Sequence, residues 1–229
     1  MRTESAPYTN KQTQQMEEIT LSNVLPQVFA GRDDLTGDVW QRELSLRKGG
    51  IYLVEAASGT GKSTLCSYIL GYRHDYTGTL AFDGRDTRTL SVTEWTEVRK
   101  RHVSPLFQEL RLFPELTAWE NVQIKNALTG HKAAEEIRSW FGRLGLSDKM
   151  DAKVGRMSFG QQQRVALMRA LAQPFDFLLA DEPVSHLDDS NAAAMAQLMT
   201  EEARRQGAAV VVTSIGKHMA LGYDRVIRL

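Results

Sequence analysis

The feature that most constrains this chain is the stretch 51–68, which reads I-Y-L-V-E-A-A-S-G-T-G-K-S-T-L-C-S-Y. Its apolar start at 51–54 predicts a short buried strand, and the small residues at 58–61 predict a tight loop. From 62 to 70 apolar residues recur at helical spacing. A strand, a glycine loop and a helix in this order gather backbone N–H groups and a helix N-terminus around one point, which suits a bound phosphate.

The loop matches the phosphate-binding pattern G-x-x-x-x-G-K-[ST] at every defined position but the first, where Ala56 replaces glycine. In such a loop the lysine, here Lys62, reaches the β- and γ-phosphates, and the hydroxyl of Ser63 is a ligand for Mg²⁺. If the first position requires a positive φ, Ala56 costs on the order of 1 kcal/mol. The alternative is a chance glycine turn before a helix. The residues expected to hold the nucleotide are Ala57, Ser58, Gly59, Thr60, Gly61, Lys62, Ser63 and Thr64.

Length and charge narrow the class of protein. A chain of 229 residues predicts one domain with room for an inserted subdomain. Lys+Arg and Asp+Glu both number 28, which weighs against a protein held to nucleic acid or anionic lipid by bulk charge. No apolar run approaches the ~18 residues of a membrane helix, so we expect any membrane role to go through a partner. The single cysteine, Cys66, fits a reducing compartment, and we interpret it as a buried apolar residue.

A second acidic site follows the apolar run 177–180, which predicts a buried strand ending in Asp181-Glu182-Pro183. Strand ends at one edge of a parallel sheet are where such folds bind ligands. We expect Asp181 to hold the metal, directly or through water, and Glu182 to orient or deprotonate an attacking water. The alternative is an ordinary acidic loop after a strand.

The order of the remaining elements predicts the fold class. The run 79–82 followed by Asp83-Gly84 predicts a strand and hairpin, so the early strands should be antiparallel. Later strands alternate with helices, which indicates a mostly parallel sheet. We therefore expect an α/β phosphate-loop NTPase core with an N-terminal antiparallel β-subdomain and an inserted helical subdomain at about 109–157. Residues 1–15 are expected to be a disordered tail ahead of a domain at 16–229.

Several later stretches resemble one family. Ser158-Phe159-Gly160-Gln161, in the context M-S-F-G-Q-Q-Q-R-V-A-L-M-R-A-L, resembles the signature motif of ATP-binding cassette (ABC) ATPases. Phe107-Gln108 resembles their Q-loop, S-H-L-D at 185–188 their D-loop, and L-F-P-E-L-T-A-W-E-N-V the start of their helical subdomain. The resemblance covers residue 16 to the end, and it is nearest to the ATPases of lipoprotein-release and macrolide-export systems.

The resemblance implies ATP and Mg²⁺ as ligands and assigns further residues. Gln108 would be a catalytic residue and a metal ligand, and Phe29 would stack on adenine. Ser158, Gly160 and Gln161 would contact the γ-phosphate of ATP held by a second copy. Two ATP molecules would then be enclosed in a head-to-tail homodimer with two-fold symmetry.

The resemblance also implies an integral membrane permease as partner, with this chain on the cytoplasmic, inner face of the cell membrane. Gln108 and the segment 111–119 would form a groove for a cytoplasmic helix of that permease. The alternative is core packing inside the helical subdomain, and Leu112, Phe113 and Leu116 suit either role equally.

Three departures from the family pattern, at Ala56, Phe159 and Ser214, together favour altered and slow turnover. Ser214 stands where the family has a histidine that contacts the γ-phosphate, and Phe159 stands where its signature has glycine. Loss of one polar stabiliser of a transition state typically costs about 10²–10³-fold in rate. His218, four residues on, is expected to be a solvated helix residue. The alternative function, a nucleotide-gated regulatory module with weak hydrolysis, therefore remains. A soluble ABC ATPase acting on nucleic acid ranks lower, and no nucleic acid is expected.

Overall fold

Two β-sheets carry the fold in the computed structural model, which describes residues 15–229 apart from residues 33, 58, 186 and 217. The first sheet is antiparallel, with strand order β2-β1-β4-β5. Its strands are β1 (Glu18–Pro26), β2 (Glu43–Arg47), β4 (Tyr76–Phe82) and β5 (Arg85–Asp86). The hairpin between β4 and β5 turns at Asp83 and Gly84, both with positive φ, which confirms the predicted antiparallel strands and hairpin.

The second sheet has five strands in the order β6-β7-β8-β3-β9, and every neighbouring pair is parallel. Its strands are β3 (Ile51–Glu55), β6 (Val103–Leu106), β7 (Phe177–Asp181), β8 (Ala209–Ser214) and β9 (Arg225–Arg228). All residues of β7 and β8 are buried, as expected for central strands covered on both faces. The predicted α/β class with one parallel and one antiparallel sheet is therefore confirmed.

Six α-helices connect these strands within the described part of the chain. They are α1 (Lys62–Ile69), α2 (Val92–Glu97), α3 (Ala118–Asn126), α4 (Ala134–Arg143), α5 (Phe159–Leu171) and α6 (Asp189–Gln206). Thr117 caps α3 with a capping box, which a threonine followed three residues later by a glutamate predicts, and its side chain accepts from the N–H of Glu120. No helix among these residues is both long enough and apolar enough to cross a bilayer.

The run 39–46 alternates in polarity, a pattern that predicts a strand. The strand nevertheless begins only at Glu43, because the preceding residues form turns. Val39 and Trp40 are nevertheless buried in the core between the two sheets. An apolar residue that packs from a turn gives the same alternating pattern as one in a strand, so periodicity could not separate the two.

Between β6 and α5, the helices α3 and α4 bury Val122, Ile137, Trp140 and Phe141 in a core that continues through α5 to the parallel sheet. The limits 109–157 for a helical subdomain stay a prediction. A buried ion pair joins this region to α6: Lys132 Nζ lies 2.6 Å from Glu202 Oε2, with side chains 4% and 0% exposed. Arg205 also contacts Glu202, at 3.2 Å.

We expect Lys132→Met to lower the free energy of unfolding by about 3 kcal/mol, because it leaves the carboxylate of Glu202 buried with Arg205 alone. The measurement is urea unfolding followed by circular dichroism. Lys149→Met is the matched control: it removes an exposed pair with Asp148 and should cost under about 0.5 kcal/mol. Equal losses in both variants would contradict the assignment, and adding Glu202→Leu to Lys132→Met should restore much of the stability.

Candidate functional site

The loop between β3 and α1 has the backbone of a phosphate cradle. Gly59 and Gly61 both have positive φ, at 79° and 104°. A Cβ on Gly61 would come within 2.9 Å of Trp40 and 3.1 Å of Phe29, so only glycine fits there. Ala56 does not have a positive φ, and its N–H donates to Ser214 O at 3.1 Å. The conditional cost of alanine at the first motif position therefore does not arise.

Lys62 is held at the first turn of α1 with its side chain only 7% exposed. Its Nζ donates to Ala57 O at 3.5 Å and lies 3.6 Å from Glu182 Oε1. Among the described residues these two oxygen atoms are the partners of the ammonium, so it keeps hydrogen-bonding capacity for an anion bound at the loop. The structure therefore brings the predicted lysine and the predicted catalytic carboxylate into contact.

Asp181 lies beside Ser63, as the sequence predicts. Ser63 Oγ donates to Asp181 Oδ2 at 3.3 Å, and Thr213 Oγ1 donates to Asp181 Oδ1. This contact joins residues 118 positions apart in sequence, at the carboxyl edge of the parallel sheet. Carboxylate and hydroxyl oxygens completed by phosphate oxygens are the ligands that Mg²⁺ prefers, so this donor set fits that ion.

Glu182 has an unusual backbone conformation. Its φ is +49°, in the left-handed region, and its N–H donates to Thr213 O at 3.1 Å. For a residue other than glycine, such a conformation costs on the order of 1–3 kcal/mol and persists only where the surrounding structure imposes it. The side chain is 10% exposed. A strained backbone that aims a nearly buried carboxylate at a lysine is typical of a functional site.

One cavity of about 440 Å³ collects most of the predicted residues. It is lined by Val28, Phe29, Gly59, Gly61, Lys62, Ser63, Thr64, Arg73, Gln108, Glu182 and Ile215. Asp181 contacts this cavity's wall through Ser63, and Ala57 through Lys62. Thr60 faces the other side of the loop, where it contacts Trp40. Ser58, His186 and residues 1–14, the expected tail apart from Gln15, lie outside the described part of the chain.

Phe29 reaches the cavity but is only 6% exposed. Its ring packs against Trp40, with centroids 6.1 Å apart, and the guanidinium of Arg32 lies 5.3 Å from its centroid. Val28, its neighbour in the same short 3₁₀ turn, is 64% exposed in the same cavity. Stacking of Phe29 on adenine stays a prediction, and Val28 is the side chain that presents more surface.

Ser158, Gly160 and Gln161 lie at the N-terminus of α5, away from the residues that line this cavity. Ser158 Oγ accepts from the N–H of Gln161 at 3.3 Å, and Gln161 Oε1 accepts from the N–H of Ser158 at 2.9 Å. This capping box therefore occupies the backbone N–H of Gln161, the residue that was expected to contact a phosphate. Phe159, the departure from glycine, begins the helix and is 43% exposed.

His218 is exposed to solvent, as predicted, but the predicted helix is wrong, because His218 lies outside any helix. Its Nε2 is 3.3 Å from Glu55 Oε1, at the end of the strand that leads into the phosphate loop. Ser214 ends β8 and is buried, with its carbonyl bound by Ala56 and its hydroxyl accepting from the N–H of Gly216. The sequence after β8 has no long run of apolar residues at helical spacing, which is the signal that would have supported a helix.

Two site residues were missed at the sequence level. Thr213 orients Asp181, and its place as the penultimate residue of a buried strand gave the only signal. Trp40 donates its indole N–H to Thr60 O at 3.0 Å, from a turn that periodicity assigned to a strand. Cys66 behaves as expected: it is buried in α1, and burial together with the charge of Asp181 raises the pKa of its thiol.

The comparisons with known proteins agree with this geometry. A family model described as ABC transporter matches residues 40–185. The lipoprotein-releasing system ATP-binding protein LolD of Gluconobacter oxydans is 37% identical over 190 residues, 82% of this chain and 82% of that protein. The macrolide export ATP-binding/permease protein MacB of Shewanella sp. strain ANA-3 is 34% identical over 189 residues, 81% of this chain. The chain spans only 29% of that relative's length.

Among solved structures, the dimeric structure of MJ0796, a bacterial ABC transporter cassette, superposes with a TM-score of 0.78 at 29% identity. It covers 92% of this chain and 94% of that one. A dimeric post-hydrolysis state of MJ0796 bound to ADP and Pi superposes with a TM-score of 0.76 at 28% identity. By the extent of the family match and by these relatives, the chain belongs to the ABC transporter family of ATP-binding proteins.

Proposed function

We propose that this chain binds Mg-ATP in the 440 Å³ cavity and hydrolyses it to drive a separate membrane permease. The observation that carries the proposal is the convergence of Lys62, Ser63, Asp181 and Glu182 at one edge of the parallel sheet. Phosphate binding, metal binding and proton transfer each need one of these groups, and no single element of the fold supplies them all. The ADP- and phosphate-bound relative supports a nucleotide as the ligand.

The chain's own groups account for binding. The N–H groups of the loop and the N-terminus of α1 would hold the phosphates, and Lys62 would neutralise their charge. Ser63 and Asp181 would hold Mg²⁺, which when bound neutralises phosphate charge. Gln108, exposed at the cavity's edge, is proposed as a further ligand of the metal ion.

Glu182 is proposed as the group that takes a proton from the attacking water. Lys62 and Glu182 neutralise one another in this structure at 3.6 Å. A triphosphate that attracts Lys62 would leave the Glu182 carboxylate facing the γ-phosphate with its charge unshared. The general base would then be available only with substrate in place.

A second copy of the chain is proposed to complete the site. Ser158, Gly160 and Gln161 lie away from the cavity of their own chain and at the start of a helix, where backbone N–H groups attract anions. The MJ0796 relative is described as dimeric, which supports the same arrangement here. In such a dimer the partner's α5 would cover the γ-phosphate, at the cost of opening the Ser158–Gln161 capping box.

We expect Glu182→Gln to bind ATP normally but to hydrolyse it at least about 100-fold more slowly, because the proton acceptor is gone. The measurements are phosphate release, ATP titration and size-exclusion chromatography with ATP, where this variant should elute as a dimer. Glu135→Gln, an exposed carboxylate on α4, is the matched control and should behave as wild type.

Lys62→Ala should lose ATP binding while it keeps its thermal unfolding temperature. Wild-type turnover in Glu182→Gln, or unchanged ATP affinity in Lys62→Ala, would sink the proposal.

The segment 111–119, together with Gln108, is proposed as the docking groove for the permease. Leu110 and Arg111 both have positive φ, which turns the chain sharply after β6. Arg169 holds this turn by donating to the carbonyls of both residues, at 2.5 and 2.6 Å. Burial lowers the pKa of Arg169 to about 10, so the guanidinium stays charged at neutral pH. The result is a fixed surface loop, which suits a docking site.

Side chains of this region divide between core and surface. Leu112 and Trp119 are partly buried against the core, and the ring centroids of Trp119 and Phe141 are 6.3 Å apart. Phe113 is 50% exposed, while Asn121 bonds both its N–H and its carbonyl and so fixes its backbone. Exposed aromatic surface on a rigid backbone is typical of a contact for another protein. Phe113 is therefore the residue of this segment that we propose contacts the permease.

We expect Phe113→Asp to weaken binding to membrane vesicles from the native host by about tenfold or more. The reason is that a charge would replace an aromatic contact that the bound permease would bury. The measurement is co-sedimentation of purified protein with vesicles. Val92→Asp is the matched control, because Val92 is 83% exposed on α2, outside the docking segment. Both variants should hydrolyse ATP alone at the wild-type rate. Equal binding by both variants would remove Phe113 from the interface and favour a chain that works without a permease.

Ser214 is proposed to slow hydrolysis. It lies at the end of β8, beside the loop residues 55–57 and next to Ile215, which lines the nucleotide cavity. A hydroxyl is shorter than an imidazole and reaches less far from this position, although a water can bridge the gap. This observation also favours the second candidate function, a nucleotide-gated regulatory module whose dimer opens slowly.

We expect Ser214→His to raise turnover by about tenfold or more without tightening ATP binding, the pattern of a gain made mainly in the transition state. Steady-state phosphate release and ATP titration measure the two quantities. Ser214→Ala, which adds no imidazole, is the matched control and should not be faster than wild type. The contrary result is a Ser214→His variant no faster than wild type while Glu182→Gln still lowers turnover sharply. That result would mean that the site is built around Ser214, and the proposal that Ser214 slows hydrolysis would be wrong.

A further inference from the structure

Trp40 supports the phosphate loop from behind. It lies in the turn before β2 and is only 4% exposed, with its ring between Phe29 and Tyr68 at centroid distances of 6.1 and 6.4 Å. Its indole N–H donates to Thr60 O at 3.0 Å. An indole has one N–H donor, and Trp40 donates it to a carbonyl of the phosphate loop. Because the indole is buried and packed between two rings, this hydrogen bond fixes the orientation of that peptide group.

The side of the loop on which Trp40 lies follows from the cavities. Thr60 and Trp40 line a small cavity of about 110 Å³. Gly61, Lys62 and Ser63 line the 440 Å³ nucleotide cavity, and neither Thr60 nor Trp40 does so. The loop therefore separates the two cavities, and Trp40 contacts it on the face opposite the proposed nucleotide.

Peptide geometry then gives the hydrogen bond a consequence. In a trans peptide the C=O of one residue and the N–H of the next point in opposite directions. The Thr60–Gly61 peptide is trans, and Trp40 holds its carbonyl on the far face. The N–H of Gly61 must therefore point toward the nucleotide cavity, where Gly61 is part of the wall.

Trp40 is itself held by both sheets. The adjacent Gln41 donates its N–H to Val24 O of β1 at 2.9 Å. Two residues earlier, Asp38 accepts from the N–H of Arg228 of β9 at 2.8 Å. The turn that carries Trp40 thus spans the antiparallel and the parallel sheet, and the indole cannot retreat from the loop without breaking these contacts.

We propose that Trp40 is a positioning residue for the phosphate loop, which orients the Gly61 N–H toward the phosphates by binding the Thr60 carbonyl. The inference rests on the proposed function, because it concerns the same nucleotide cavity. It goes further by assigning the orientation of one phosphate-binding N–H to a side chain far from the motif. The contact excludes any side chain at Gly61, whose Cβ would lie 2.9 Å from the indole ring.

The test is Trp40→Phe, which keeps an aromatic ring but removes the donor. We expect the dissociation constant for ATP to rise between about threefold and tenfold, the usual worth of one hydrogen bond. Inorganic tripolyphosphate should lose affinity by the same factor, since it carries the phosphates without the base. The KM for ATP should rise while kcat stays within twofold, because the oriented N–H binds substrate and transition state alike.

Trp95→Phe is the matched control, because Trp95 is 7% exposed and packs on Phe82 rather than on the loop. It should bind both ligands as wild type does. If Trp40→Phe does not fold, Trp40→Tyr takes its place with the same expected loss, since its hydroxyl lies at the wrong position on the ring for Thr60.

Three results would overturn the inference or its basis. Affinities within twofold of wild type for both ligands would show that the indole N–H does not orient the loop. A loss confined to ATP, with tripolyphosphate unaffected, would place the effect of Trp40 on the base through Phe29. Failure of the wild-type chain itself to bind ATP would instead overturn the proposed function.

Discussion

The position of β8 between β7 and β3 is the constraint on which the candidate site depends. Its pairing sets Thr213 opposite Asp181 and Ser214 opposite Glu55. Thr213 binds the Asp181 side chain and the backbone of Glu182, while the carbonyl of Ser214 binds the first residue of the phosphate loop. One strand end therefore fixes both the acidic and the phosphate-binding half. A slip of one residue would move Thr213 away from Asp181 and Ser214 away from Glu55, and so separate the two halves.

Motifs whose chemistry requires particular residues at particular spacings could be predicted from the sequence. The glycine loop with Lys62 and Ser63, and the acidic pair Asp181 and Glu182, lie together at the cavity because β3 and β7 both end at the same sheet edge. The capping box at Thr117 is equally local, since its two hydrogen bonds join residues three apart. Local chemistry and strand order were enough for these features.

The remaining features depend on contacts that sequence spacing does not encode. Phe29 and Val28 are both apolar, but Phe29 is buried against Trp40 and Val28 is exposed. His218 pairs with Glu55, which is 163 residues away in sequence. Trp40 belongs to the run 39–46, whose alternating polarity is typical of a strand, although Val39 and Trp40 precede β2. In each case a long-range packing partner overrides a local pattern.

The nucleotide cavity and the proposed docking groove are joined by a very short piece of chain. Gln108 lines the cavity, and Phe113 is exposed five residues later. Between them Leu110 and Arg111 form a turn of two left-handed residues. Arg169 holds this turn from α5, the helix that Ser158 caps. A rigid turn transmits displacement rather than absorbing it. A displacement of Gln108 or of the start of α5 would therefore be passed to the Phe113 surface, which is the link that the proposed coupling to a permease needs.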